Sequence, residues 1–161
     1  MLVPFSALPE HSRVWIYPSS RAFTAEEKDA IATQMEEFLS QWATHGSPLK
    51  TGYDLPYDHF IVIGLDEAVQ GASGCSIDAS VRLIQALEQK FNLTLLDKMN
   101  VCYRKDETIV YSNMKDFRKL TKNHAVNQET IVFNKLVVNK GEYEDLWEVP
   151  AYNSWHSRFI K

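Results

Sequence analysis

The sequence predicts one α+β domain over residues 1–161, built on a mixed, mostly antiparallel sheet with two long helices on one face. An unbroken apolar run, Phe60-Ile61-Val62-Ile63-Gly64-Leu65, lacks the polar alternation of a half-exposed strand and reads as a central strand covered on both faces. Amphipathic stretches of helical period precede and follow it. Short β-rich segments complete the order β-α-β-β-α-β over residues 1–105, which is the split βαβ, or ferredoxin-like, arrangement. Later β-rich segments would extend that core toward the C-terminus. A doubly wound α/β sheet is the alternative, and it ranks second because only two long helices cross between strands.

Residues 13–17 center on Val14-Trp15-Ile16, a short buried strand closed by Pro18-Ser19-Ser20. The first helix opens on Thr24 with Glu27 three positions later, a capping box in which each side chain satisfies the other residue's orphan N–H. Ile31, Met35, Phe38, Leu39 and Trp42 form its apolar stripe, with Asp29, Glu36, Glu37 and Ser40 opposite. Gly46 is expected to end it, which places His45 at a helix C-terminus. Residues 50–55 read as a strand, and Pro56-Tyr57-Asp58 turns the chain into the apolar run. Ile77, Val81, Ile84, Leu87 and Phe91 predict a second helix ending near Asn92. Residues 101–104 and 108–112 predict a hairpin across Lys105-Asp106-Glu107. Asn113 caps a short helix carrying Met114, Phe117 and Leu120. Residues 130–138 read as a further strand before a turn at Asn139-Lys140-Gly141.

Composition narrows the function classes. Hydrophobic residues make up 45% and charged residues 24% of the chain, near globular averages, so neither disorder nor a fibrous repeat is expected. A net charge of −4 without a run of Lys or Arg ranks nucleic acid low among partners. The segment from Met1 to Pro9 has no basic leader and is broken by Pro4 and Pro9, so no signal peptide is expected. The apolar run at Phe60–Leu65 is far shorter than the roughly 20 residues of a membrane-spanning helix. Two cysteines are too few for a disulfide framework, which points to a reducing cytoplasm.

The turn at residues 71–76, with Asp78 just beyond it, is the main site candidate. It follows the central strand and opens a helix, where unpaired N–H groups and the helix dipole favor an anion. Gly71, Ser73, Gly74, Ser76 and Asp78 would there bind a small anionic ligand or the acidic group of a protein partner. Helix-start chemistry alone also accounts for the same residues. Gly71 and Gly74 would shape the connection, Ser76 would cap the helix, Asp78 would suit its positive end, and Cys75 would fill a small space.

A second reading takes Cys75 as the nucleophile of a thiol-dependent enzyme, since a helix N-terminus stabilizes a thiolate. Of the five histidines, His156 is the first choice of base, because Trp155 and Phe159 suggest a docked segment around it. Asp66, Glu67 and Asp78 match no cation-binding loop, so no metal site is assigned. Cys102 reads as a packed thiol, and no motif names a cofactor. A third reading makes this an interaction protein. Residues 147–161 hold two Trp, a Tyr and a Phe, which would form either a strap over the core or a contact for a partner or for a second copy in a homodimer.

From Arg13 onward the sequence is similar to a family of short bacterial proteins often labeled "ABC transporter ATPase". The similarity rests on Arg13-Val14-Trp15-Ile16-Tyr17, Ser73-Gly74-Cys75-Ser76-Ile77-Asp78, Lys140-Gly141-Glu142-Tyr143, Trp147-Glu148-Val149-Pro150 and Ser154-Trp155-His156-Ser157-Arg158-Phe159. It carries over no catalytic residue. ATP hydrolysis by a P-loop requires a turn of the form GxxxxGK[ST], and no Lys stands between Lys50 and Lys90. Neither ATP binding in such a cradle nor ATP turnover is expected.

Overall fold

In the computed structural model, which describes residues 1–160, the elements run β1 (Arg13–Pro18), α1 (Ala25–Gln41), β2 (Ala43–Thr44), β3 (Ser47–Pro48), β4 (Thr51–Asp54), β5 (Phe60–Leu65), α2 (Gly74–Phe91), β6 (Asn100–Lys105), β7 (Thr108–Asn113), α3 (Met114–Lys122), β8 (Ile131–Phe133), α4 (Lys140–Leu146) and β9 (Glu148–Pro150). Short 3-10 turns occur at Phe5–Ala7, Pro56–Asp58, Ala151–Asn153 and Trp155–Phe159. The class is α+β, and the strands named here pair antiparallel throughout.

β5 is the middle strand of a sheet ordered β1-β5-β4, and every one of its residues is buried. One face carries Ile61, Ile63 and Leu65 into a core with Tyr17 of β1, Ile31, Met35 and Leu39 of α1, and Ile84 and Leu87 of α2. Both long helices therefore cover the same face, as the β-α-β-β-α-β order predicts. The opposite face is covered by the N-terminal segment. Gly52 and Gly64 face each other across β4 and β5, and a Cβ on Gly64 would stand 2.6 Å from Leu8 Cδ1, while one on Gly52 would stand 2.7 Å from the Val3 carbonyl oxygen. Only glycine lets the segment lie this close. Lys140 fastens it by donating through Nζ to the carbonyls of Ser6 (3.2 Å) and Leu8 (2.7 Å).

The order β1-β5-β4 is a split βαβ: β1 and β4 run parallel with β5 antiparallel between them. The ferredoxin-like expectation fails at its last strand. β6 does not join this sheet, and residues 138–139 lie beside β1 instead, through an Arg13–Asn139 bridge and a Val14 N–H to Val138 O bond of 3.1 Å. Residues 130–138, read from sequence as one strand, are thus divided between two sheets, and the turn expected at residues 139–141 is where α4 begins.

The contacts divide the chain into two compact units: Met1–Leu96 with Val138–Gly141, and Asp97–Val137 with the segment from Glu142 onward. No Gly-, Pro- or Ser-rich linker marks the boundary at Leu96-Asp97. The second unit holds a sheet ordered β7-β6-β8-β9, and the expected hairpin is β6-β7, turning at Asp106 with φ 57°. Its core joins Val101, Tyr103, Phe117, Val132, Val149 and Ile160, with Trp155 and Phe159 packed against it. Trp155 and Phe159 thus pack, partly buried, against this unit's core, while Tyr152 is exposed.

Helix caps follow the sequence in most places. Thr24 Oγ1 accepts the Glu27 N–H at 3.1 Å and Glu27 Oε1 accepts the Thr24 N–H at 2.9 Å, completing the capping box. Asn113 caps α3 by accepting the Asp116 N–H at 2.8 Å. α1, however, ends at Gln41, and Gly46 does not terminate it. His45 (φ 50°) and Gly46 (φ 81°) form the two-residue turn of the β2-β3 hairpin, where both positions require left-handed backbone. No helix is long and apolar enough to cross a membrane among the described residues.

Candidate functional site

Residues 71–76 lead into α2, and Ser73 rather than Ser76 is its N-cap. Ser73 is extended (φ −93°, ψ 167°), and its Oγ accepts the Ser76 N–H at 3.2 Å. Ser76 reciprocates by accepting the Ser73 N–H at 2.8 Å and donating to the Ser73 carbonyl at 2.9 Å. A serine at this third helical position does the work that glutamate does in the first helix. Two further side chains lock the turn. Thr44 Oγ1 lies 3.1 Å from Ser76 Oγ, and the Trp42 indole N–H donates to the Ser76 carbonyl at 2.8 Å. Ser76, Thr44 and Trp42 are all buried.

This arrangement explains which face of α2 is buried. At its N-terminal end the buried positions are Ser76 and Ser80, while Ile77 and Val81 of the predicted stripe are only partly covered. Ser76 is small and polar because it meets a hydroxyl and an indole there. The apolar stripe takes over at Ile84 and Leu87, and Asn92 closes the helix in left-handed conformation (φ 53°).

Gly74 and Cys75 are exposed at the first two positions of the helix. Of its first four N–H groups, that of Ser76 goes to Ser73 Oγ and that of Ile77 to the Ser73 carbonyl (3.0 Å), while those of Gly74 and Cys75 have no partner among the described residues. Neither Gly71 nor Gly74 has left-handed backbone, and a Cβ on either would meet nothing within 4 Å. Neither local strain nor crowding within the chain calls for glycine at these positions.

Asp78 is exposed one turn into the helix. The acids at the end of β5 are engaged with bases: Asp66 is buried beside Lys50 (3.7 Å) and His11 (3.9 Å), and Glu67 meets Arg13 at 3.3 Å. No group of three His, Cys, Asp or Glu side chains is arranged to hold a metal ion among the described residues.

His156 belongs to the second unit and Cys75 to the first. The His156 ring is fully buried and stacks on Trp155 with centroids 3.8 Å apart, and its edge-on contact with Phe117 is 5.8 Å. Nδ1 sits 2.7 Å from Ser154 Oγ, and Nε2 is buried without a partner. Burial, with a smaller contribution from the Lys135 ammonium, holds this imidazole down to about 4 and keeps it neutral near pH 7. Cys102 is buried in β6, where desolvation pushes its thiol up to about 12 against the opposing pull of Lys135. A packed thiol was the expectation there.

The structure brings Gly71, Ser73, Gly74, Cys75 and Ser76 together as one short turn at a helix start. Trp42 and Thr44 complete it, and sequence reasoning missed both, because partners more than 30 positions away leave no local pattern. No family model, curated protein or solved structure matches this chain.

Proposed function

We propose that this protein binds a small anionic group, from a free ligand or from a partner's acidic side chain, at the N-terminus of α2. The observation that carries the reading is the pair of unpartnered N–H groups on exposed Gly74 and Cys75, beside glycines that neither backbone conformation nor internal crowding requires. An anion there accepts two N–H bonds and meets the positive end of an 18-residue helix. The absent side chains let it approach the backbone closely. The Ser73-Ser76-Thr44-Trp42 network holds the donors in place before anything binds, which lowers the ordering cost of binding. Cys75 lies at the same edge, and its exposure keeps thiol chemistry on the bound group as the second reading.

Gly74→Pro separates these donors from the fold. Proline suits the first position of a helix, its missing N–H is one that has no partner here, and the extended Ser73 before it is compatible with a following proline. Titration of 15N-labeled protein with phosphate and with acetate should move the Gly74 and Cys75 amide resonances saturably. The Gly74→Pro variant should melt like the parent yet lose the response. Static amides at tens of millimolar anion, or equal binding by the variant, would remove this reading.

A further inference from the structure

α3 presents four cations at helical spacing, Lys115, Arg118, Lys119 and Lys122, while Phe117 and Thr121 face the interior. Among the described residues none of the four has a carboxylate within 4.0 Å. Arg13, Arg21, Lys28, Lys50 and Arg104 each meet a carboxylate, whereas α3 groups four cations on one short helix without one. The last turn of α3 borders a pocket of about 330 Å³ lined by Arg118, Thr121, Lys122, His124 and Phe159. Its wall is more apolar than polar. The Arg118 guanidinium lies 5.0 Å from the Phe159 ring centroid, and the Thr121 hydroxyl donates to the Arg118 carbonyl at 2.7 Å. The hydroxyl is therefore already committed, and the donors free to meet an anion are Arg118, Lys122 and His124.

We propose that this pocket binds a small organic monophosphate carrying a flat ring, of mononucleotide size. Two cationic side chains without acidic partners match a phosphate dianion, with the planar fork of Arg118 and the point charge of Lys122 addressing different oxygens. His124 supplies a third donor at the same rim. Phe159 and the aliphatic stems of the two cations offer an apolar wall to a ring, which a bare inorganic anion would leave wet. The volume lies in the range of small-molecule sites. A polyanion is disfavored, because the cations occupy one short helix in a chain of net charge −4. The site is in the second unit, and the turn that opens α2 is in the first.

Calorimetric titration of the whole chain with 5′-AMP, phenyl phosphate, adenosine, inorganic phosphate and a single-stranded oligonucleotide tests this. The two ring-bearing phosphates should bind at least tenfold more tightly than adenosine or inorganic phosphate. Arg118→Gln and Lys122→Gln, both at exposed positions, should each weaken that binding about tenfold or more without changing the melting temperature. Phe159→Leu should narrow the advantage of the ring-bearing ligands over inorganic phosphate. Absence of saturable heat, inorganic phosphate binding as tightly as 5′-AMP, or parental affinity in both charge variants would overturn the proposal. Tighter binding of the oligonucleotide with a steep salt dependence would overturn it in favor of a nucleic-acid surface.

Discussion

Lowering the pH from 7 to 4 should destabilize this protein partly through one residue, His156. Its ring has no exposed surface, stacks on Trp155, and keeps Nε2 buried without a partner. A proton there would place a charge among aromatic rings near the Lys135 ammonium, which is why the folded imidazole titrates only at about 4. The unfolded imidazole titrates near 6.5. Because the folded value is the lower one, the unfolded chain binds the proton first. This contribution to stability is whole above about pH 6.5, declines as the pH falls, and is gone below about 4. A gap of that size corresponds to roughly 3 kcal/mol in total, with a slope approaching about 1.4 kcal/mol per pH unit inside the window. The assay is urea unfolding at several pH values for the parent and for His156→Phe, which removes the titration and keeps an apolar ring. His59 is also held below its usual range by burial, but it titrates in both proteins and cancels in the difference. The two stability curves should converge or cross as the pH drops from 6.5 toward 4. Parallel curves would refute the reasoning, as would an NMR midpoint near 6.5 for the His156 ring in the parent protein.

Ser76→Ala removes the acceptor of the Ser73 N–H and the partner of the Thr44 hydroxyl in a buried setting, so it should cost about 1–3 kcal/mol in chemical denaturation. Ser73→Ala, which removes the cap and a weaker 3.3 Å contact to the Ser76 hydroxyl, should cost about 1 kcal/mol. Brief iodoacetamide treatment followed by peptide mass spectrometry should label exposed Cys75 well before Cys102, whose thiol is buried and pushed up to about 12. Equal protection of both would contradict the exposure of the helix start. Removing the chain from Ser154 onward strips Trp155, His156, Phe159 and Ile160 from the second unit's core, at roughly 1.5–3 kcal/mol per large apolar side chain, so the melting temperature should fall sharply. A truncated chain that melts like the parent would show that these rings are not part of the core.

Short-range physics was legible in the residues themselves. The Thr24/Glu27 box, the Asn113 cap, the β6-β7 hairpin and the doubly covered β5 all follow from pattern and propensity within a few positions, and the two helices on one face follow from the order of the elements. The glycine-serine turn before α2 was also visible, although its cap is Ser73, three positions before the serine chosen from sequence. Partner choice between distant segments lay outside that range. Residues 138–139 lie beside β1, a pairing that local pattern does not specify, because a strand's β propensity does not decide which edge it will pair with. Trp42 and Thr44 reach Ser76 from a preceding helix end and hairpin, and Arg118 meets Phe159 from 41 positions away. Local periodicity determined what each segment would become. Which segments share a core, a turn or a pocket was decided only when burial and hydrogen-bond satisfaction were met by the whole chain at once.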